Sequence, residues 1–239
     1  ASDVYKRQPK WWVSSLAVVA STVLAGCVST VEGAAVRAGG PGGDLPVLDD
    51  AALGRLLLNI GEINGIMGST GMQVAGDVDE MTDHSDSVSD VDCLGAVYAA
   101  EKPVYADTGW TAVRDRVARE PGDDNRHWVE ETAVLYPAAR DAQAFFDSSS
   151  QTWQGCANQS IGTNDGDYSW ALGDVDVDVT DGGAPLLTQS AEQDDSGGWQ
   201  CQHALSVVSN ATVEAWACGY RIDGEAAEIA AAMVAKAGP

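Results

Sequence analysis

The chain has 239 residues and a formal net charge of −23 at pH 7. That charge argues against a nucleic-acid partner, whose phosphates it would repel, and it favours solubility outside the cell. It permits a metal or a cationic ligand without pointing to either.

The first residues, A-S-D-V-Y-K-R-Q, read as non-native. Lys6, Arg7 and Lys10 precede an apolar run from Trp11 to Leu24, which ends in Leu24-Ala25-Gly26-Cys27. This is the pattern of a bacterial secretory signal over residues 1–26. L-A-G-C resembles the lipobox read by lipoprotein-processing enzymes, which assigns acylation, palmitate included, to Cys27. A transmembrane helix is the alternative, but the run is shorter than the roughly 20 residues a span needs. Processing before Cys27 would leave about 200 residues, room for one substantial domain on a tether. Residues 27–47, with G-G-P-G-G at 39–43, read as the lipidated cysteine and a flexible tether. About 20 residues of such coil span roughly 25 Å, enough to lift a domain off lipid headgroups. The domain itself is expected over 48–239.

Asp49 or Asp50 suits a helix N-cap. Leu53, Leu56, Leu57, Ile60 and Ile63 then recur at helical spacing, which predicts one helix fading by Met67 among its glycines. Asp77 to Asp92 is acidic and Ser-rich and reads as an exposed loop. Its carboxylates could hold a divalent cation, but their spacing fits no calcium loop. A short helix carrying Cys93, Val97 and Ala100 follows, with Pro103 as its stop. Tyr105 to Trp110 reads as a loop. Residues 111–120 and 127–135 read as strands around the turn signal P-G-D-D-N, an antiparallel hairpin.

Tyr136 to Cys156 reads as the amphipathic helix on which the core packs. Pro137 suits its first position. Ala138, Ala142, Phe145, Ser149, Trp153 and Cys156 form one stripe. Strands are expected at 168–172, 175–180 and 185–191. In V-D-V-D-V-T, Asp174, Asp176 and Asp178 imitate a calcium loop, but Val179 stands where that loop needs glycine, so the alternation reads as a half-buried strand. Residues 199–220 form a hairpin if Ser209-Asn210 is its two-residue loop. Cys201 and Cys218 then lie equally far from the turn, on a close non-hydrogen-bonded pair suited to a disulfide. His203 and Trp216 would be neighbours on the same face. Asp223 is expected to cap a last helix whose stripe is Ala226, Ile229, Ala230, Met233 and Val234.

Setting Cys27 aside, four cysteines remain in an exported chain, which implies two disulfides. With Cys201 paired to Cys218 by the hairpin, Cys93 pairs with Cys156 by elimination. The spacings are too wide for a structural zinc site.

Chemistry-bearing motifs are sparse. The three histidines, His84, His127 and His203, show no H-E-x-x-H spacing, and neither G-x-S-x-G nor a phosphate-binding G-x-x-x-x-G-K-[ST] occurs. No catalytic residue, metal or cofactor is assigned. Trp153, Trp199 and Trp216 share stripes with cysteines and read as core. Trp110 beside Tyr105, and Trp128 near Arg126, are the candidates for lining a binding cleft; core packing at an edge is the alternative for both tryptophans.

Together, L-x-x-L-L-L at 53–58, Cys93-Leu94, V-L-Y-P-A-A-R-D-A-Q-A-F-F at 134–146, Trp153-x-x-Cys156 and the Cys201/Cys218 pair resemble the PknH-like extracellular sensor domain family of actinobacterial kinases and lipoproteins. The resemblance covers about 48–238. It implies an α+β fold, a twisted antiparallel sheet with packed helices, a ligand-receiving cleft and the same disulfide pairing. The stretch carries no kinase domain, so on this reading any signal leaves by another route. The expected role is a lipid-anchored sensor or ligand-binding domain on the outer face of the plasma membrane, with an unidentified envelope ligand or protein partner. An envelope hydrolase with a spatial Ser/His/Asp site and a non-catalytic interaction module are the alternatives.

Overall fold

A computed structural model describes residues 45–122 and 125–238. The signal, Cys27 and most of the tether lie outside the described residues. Eight antiparallel strands form one sheet. They are β1 Gln73–Val78, β2 Ala112–Arg119, β3 His127–Leu135, β4 Ser160–Thr163, β5 Tyr168–Val179, β6 Pro185–Gln193, β7 Gln200–Val208 and β8 Ala211–Gly219. Their spatial order is β1-β2-β3-β8-β7-β6-β5-β4. Helices α1 Asp50–Leu56, α2 Ile60–Ile66 and α6 Glu225–Ala235 pack on one face. On the other face lie α3 Leu94–Val97, α4 Lys102–Tyr105 and α5 Ala139–Cys156. This is the expected α+β class. Among the described residues no helix is long and apolar enough to cross a membrane.

The two faces differ in grain. Under α6 the sheet presents small side chains, Ala204, Ala215 and Ala217 among them, all fully buried. That lets Ile229 and Met233, also fully buried, sit close to it. Under α5 the face carries larger and more polar groups. The expected α5 stripe is buried from Ala142 to Cys156, joined by Phe146. Pro137, however, precedes the helix, whose N-cap is Ala138 without a side-chain hydrogen bond.

Both disulfides form as expected. Cys201 and Cys218 are direct cross-strand partners with Cα atoms 4.0 Å apart. Cys93 ties a 3-10 turn at Val91–Cys93 to the last residue of α5. Their sequence separations are 17 and 63 residues. On the loop-closure account such links contribute about 3 and 4 kcal/mol.

Several expectations need correction. The leading helix is two helices. Asn59 starts the second with a capping box to Glu62, and the Leu58 amide is drawn to Glu131 Oε1 at 2.8 Å. The acidic segment begins as an edge strand, β1, before it turns to loop. Pro103 lies in the first turn of α4 rather than ending a helix, where its missing N–H costs nothing. The strands expected at 168–172 and 175–180 are one strand, β5, with an irregularity between Leu172 and Val175. Gly173 sits there, where a Cβ would run into the Ser190 hydroxyl. The edge strand β4 was not expected. The last helix is capped at Gly224, and Glu225 Oε2 accepts the Asp223 and Gly224 amides.

Candidate functional site

Sheet register aligns the side chains facing α5 into rows. One row runs Arg119, Trp128, Cys218, Cys201 and Ala191 across β2, β3, β8, β7 and β6. The next runs Val117, Glu130, Trp216, His203 and Gln189. A third holds Asp115, Thr132 and Glu214. Trp153 of α5 packs on the second row, its ring 4.0 Å from His203, which stacks on Trp216 at 4.3 Å. Beside that sandwich, against the disulfide row, lies a cavity of about 650 Å³.

Its floor is sheet and its walls are loops. Trp128, Glu130, Trp216 and the Cys201–Cys218 bridge line the floor. One wall comes from the segment before α3 and just after it, with Thr82, His84 and Tyr98. The other comes from β4 and β5, with Asn164, Tyr168 and Trp170. The walls meet where the Tyr98 hydroxyl donates to Asn164 Oδ1 at 3.2 Å. Trp170 Nε1 donates to Thr163 Oγ1 at 3.2 Å, and Trp199 closes a further side. His84 stacks on Tyr98 with centroids 4.5 Å apart. Its Nδ1 lies 2.5 Å from Oε1 of the buried Glu101, whose Oε2 accepts the His84 amide.

Titratable groups on this face are perturbed. Burial, then the neighbouring Asp115, pushes the Glu130 carboxyl well above the ordinary carboxylate range. Burial likewise raises Asp115, against hydrogen bonds from Thr132 and Glu130 that pull the other way. The two carboxyls thus favour holding a proton between them. Burial pushes His203 down, toward neutral imidazole, although Glu214 Oε2 lies 3.1 Å from its Nε2. Glu214 also accepts the Tyr105 hydroxyl.

Of the four residues expected at a cleft, only Trp128 lines this cavity. Tyr105 ends α4 rather than sitting in a loop. It is 1% exposed, stacked on Phe145 at 4.1 Å. Trp110 is partly buried against the core, and Arg126 is exposed beside the turn; neither lines the cavity. The expected core residues Trp199 and Trp216 do line it, as do Trp170, Glu130 and Asp115, which the sequence reading passed over. One signal was available. In β3, Trp128, Glu130 and Thr132 share one face as a polar-aromatic set, opposite Val129, Glu131 and Ala133 on a central strand.

Each histidine has a carboxylate partner, but among the described residues no serine hydroxyl bonds to a histidine ring. Nor do three or more His, Cys, Asp or Glu side chains converge as metal ligands among them.

The family model for the PknH-like extracellular domain matches residues 48–236. The chain belongs to that family. It is 40% identical over 193 residues to the serine/threonine-protein kinase PknH of Mycobacterium tuberculosis, covering 80% of this chain and 30% of the kinase. The PknH of Mycobacterium bovis matches at the same identity, with 31% of its length covered. The chain therefore spans about a third of those relatives. The crystal structure of the extracellular domain of PknH from Mycobacterium tuberculosis superposes with a TM-score of 0.75 at 38% identity, covering 81% of this chain and 98% of that one. The shared part is the extracellular, sensor-like portion of the kinase.

Proposed function

We propose that this is a lipid-anchored, extracytoplasmic ligand-binding domain that senses a molecule of the cell envelope. The observation that carries the reading is the aromatic cavity of about 650 Å³ built across the sheet beside the Cys201–Cys218 bridge. Its size falls in the range of small-molecule sites, and its lining mixes indole rings with a few polar groups, as such sites do. Membership of an extracellular domain family supports the location. The L-A-G-C sequence supports acylation of Cys27. A hydrolase finds less support: His84 and Glu101 pair at the cavity wall, but no serine joins them among the described residues.

Two measurements test this. Protein recovered from envelope extract and examined by native mass spectrometry should carry a bound small molecule that is missing from a Trp128→Ala, Trp170→Ala variant. In cells, Cys27→Ser should move the chain from the membrane fraction to the soluble one and abolish labelling by radioactive palmitate. An unlabelled wild-type chain would remove the anchor from the proposal, and a cavity that retains nothing would remove the ligand.

A further inference from the structure

The lining of the cavity restricts the ligand. Trp216 is 5% exposed, lines the floor, and its indole N–H has no partner among the described residues. That nitrogen is closed to solvent, so it lies within the floor rather than facing a ligand. Across β3 and β8, Glu130 is the direct neighbour of Trp216, and Asp115 lies on the adjoining strand one row further along. These carboxyls offer acceptors, while a proton held between them is committed to the pair. Trp128, Trp170 and Trp199 are each partly exposed and supply flat apolar walls.

Each ligand class can be set against this inventory. An anion would meet Asp115 and Glu130 in a chain already strongly acidic, with Arg119 as the one Lys or Arg in the lining. An organic cation would suit the indole faces and the carboxyls but would share the site with the fixed positive charge of Arg119. A purely apolar ligand would leave the carboxyls without partners in a drier site. A hydroxyl both donates and accepts. A ring that carries several, with an apolar C–H face to lie on an indole, suits the carboxyls, the Gln193 carboxamide and the indole faces together.

Resting on the cavity reading above, we infer that the site takes the ring of a neutral sugar, stacked on Trp128, Trp170 or Trp199, with its hydroxyls bonded to Glu130 and Asp115. The same chemistry is offered by a free glycan and by the headgroup of a glycolipid.

The test uses the full chain, tryptophan fluorescence and calorimetry. The neutral dye N-phenyl-1-naphthylamine reports on the cavity itself. Oligosaccharides of glucose, mannose, galactose and arabinose probe free glycans. Phosphatidylcholine vesicles with and without glucosyl-diacylglycerol probe the headgroup. Benzyltrimethylammonium and octanoate stand for cation and anion. At least one sugar probe should displace the dye, in solution for a free glycan or only on vesicles for a headgroup. Trp128→Ala should weaken that sugar by about tenfold or more, the scale of a lost aromatic contact. Trp170→Ala and Trp199→Ala serve beside it, each checked for folding by near-UV circular dichroism. Dye bound but displaced by no sugar, or only by the ammonium ion, overturns the sugar assignment and leaves the cavity reading intact. Failure of dye and sugars alike overturns both. Sugar binding unchanged in all three folded variants places it elsewhere and overturns the inference.

Discussion

Glu131 accepts the Leu58 amide hydrogen at 2.8 Å, and both residues are shut away from water, at 0% and 1% exposure. The contact holds the chain at the break between α1 and α2, and so fixes how both helices meet the sheet. Burial pushes the Glu131 carboxyl up to about 7 from an ordinary 4.5, although the Leu58 amide and Arg116 oppose this. Between those values the folded chain keeps a proton that the unfolded chain has released, so a rise in pH favours unfolding. The stability linked to this proton is fully present below about 4.5 and is lost as pH rises through about 7. A difference of that size is worth about 3 kcal/mol. Denaturant unfolding at pH 5, 6, 7 and 8 should show stability falling with pH. Glu131→Gln should flatten the fall, and an equally steep fall in that variant would count against the assignment.

The Asp115–Glu130 pair acts in the same direction. Burial raises both carboxyls, and Asp115 further disfavours ionisation of Glu130. Glu130→Gln keeps the shape and cannot ionise. It should match the wild type at pH 5 and melt a few degrees higher at pH 8. A lower Tm at both values would mean that the pair is held ionised in the fold.

Trp153 joins α5 to the sheet through His203 and is 2% exposed. Trp153→Ala should destabilise by about 3–5 kcal/mol, because the site cannot collapse around so large a void. Trp153→Phe should lose clearly less. Equal losses would point to the indole ring edge rather than to volume.

Asn210 sits in the β7–β8 turn, yet its side chain works at long range. Its Oδ1 accepts the Leu48 amide at 2.7 Å, and its Nδ2 donates to the Leu48 and Tyr136 carbonyls. Asn210→Ala should cost about 2–3 kcal/mol, since it strips partners from groups that are largely buried. Hydrogen exchange at Leu48 should quicken even where the rest of the domain stays protected.

The two disulfides should be separable by their consequences. Cys93→Ala, Cys156→Ala should lower stability by about 4 kcal/mol and leave the cavity floor in place. Cys201→Ala, Cys218→Ala should lower it by about 3 kcal/mol and also change dye binding, because that bridge lines the cavity. Identical effects of both variants on the dye would argue that α5 and the floor move as one.

Local periodicity was enough to read most elements, because burial repeats along a strand or helix with the period of its backbone. It placed the α5 stripe, the α6 stripe and the β7–β8 hairpin. The hairpin then dictated the Cys201–Cys218 bridge, since a two-residue loop fixes every pairing behind it. The family likeness was also legible in short motifs. Position across the sheet was not. Trp128 and Glu130 on β3 lie far in sequence from Cys201 and Trp216, and the four become one floor only because β3 pairs with β8 and β8 with β7. Tyr105 read as a loop aromatic for the same reason, while Trp216, read as core, is both core and cavity floor. Whether an aromatic ring meets a helix or open space depends on which distant segment covers its strand, and α5 reaches His203 but leaves the disulfide row to the cavity. The elements follow from neighbours in the chain; the cavity follows from neighbours in space, which only the assembled sheet supplies.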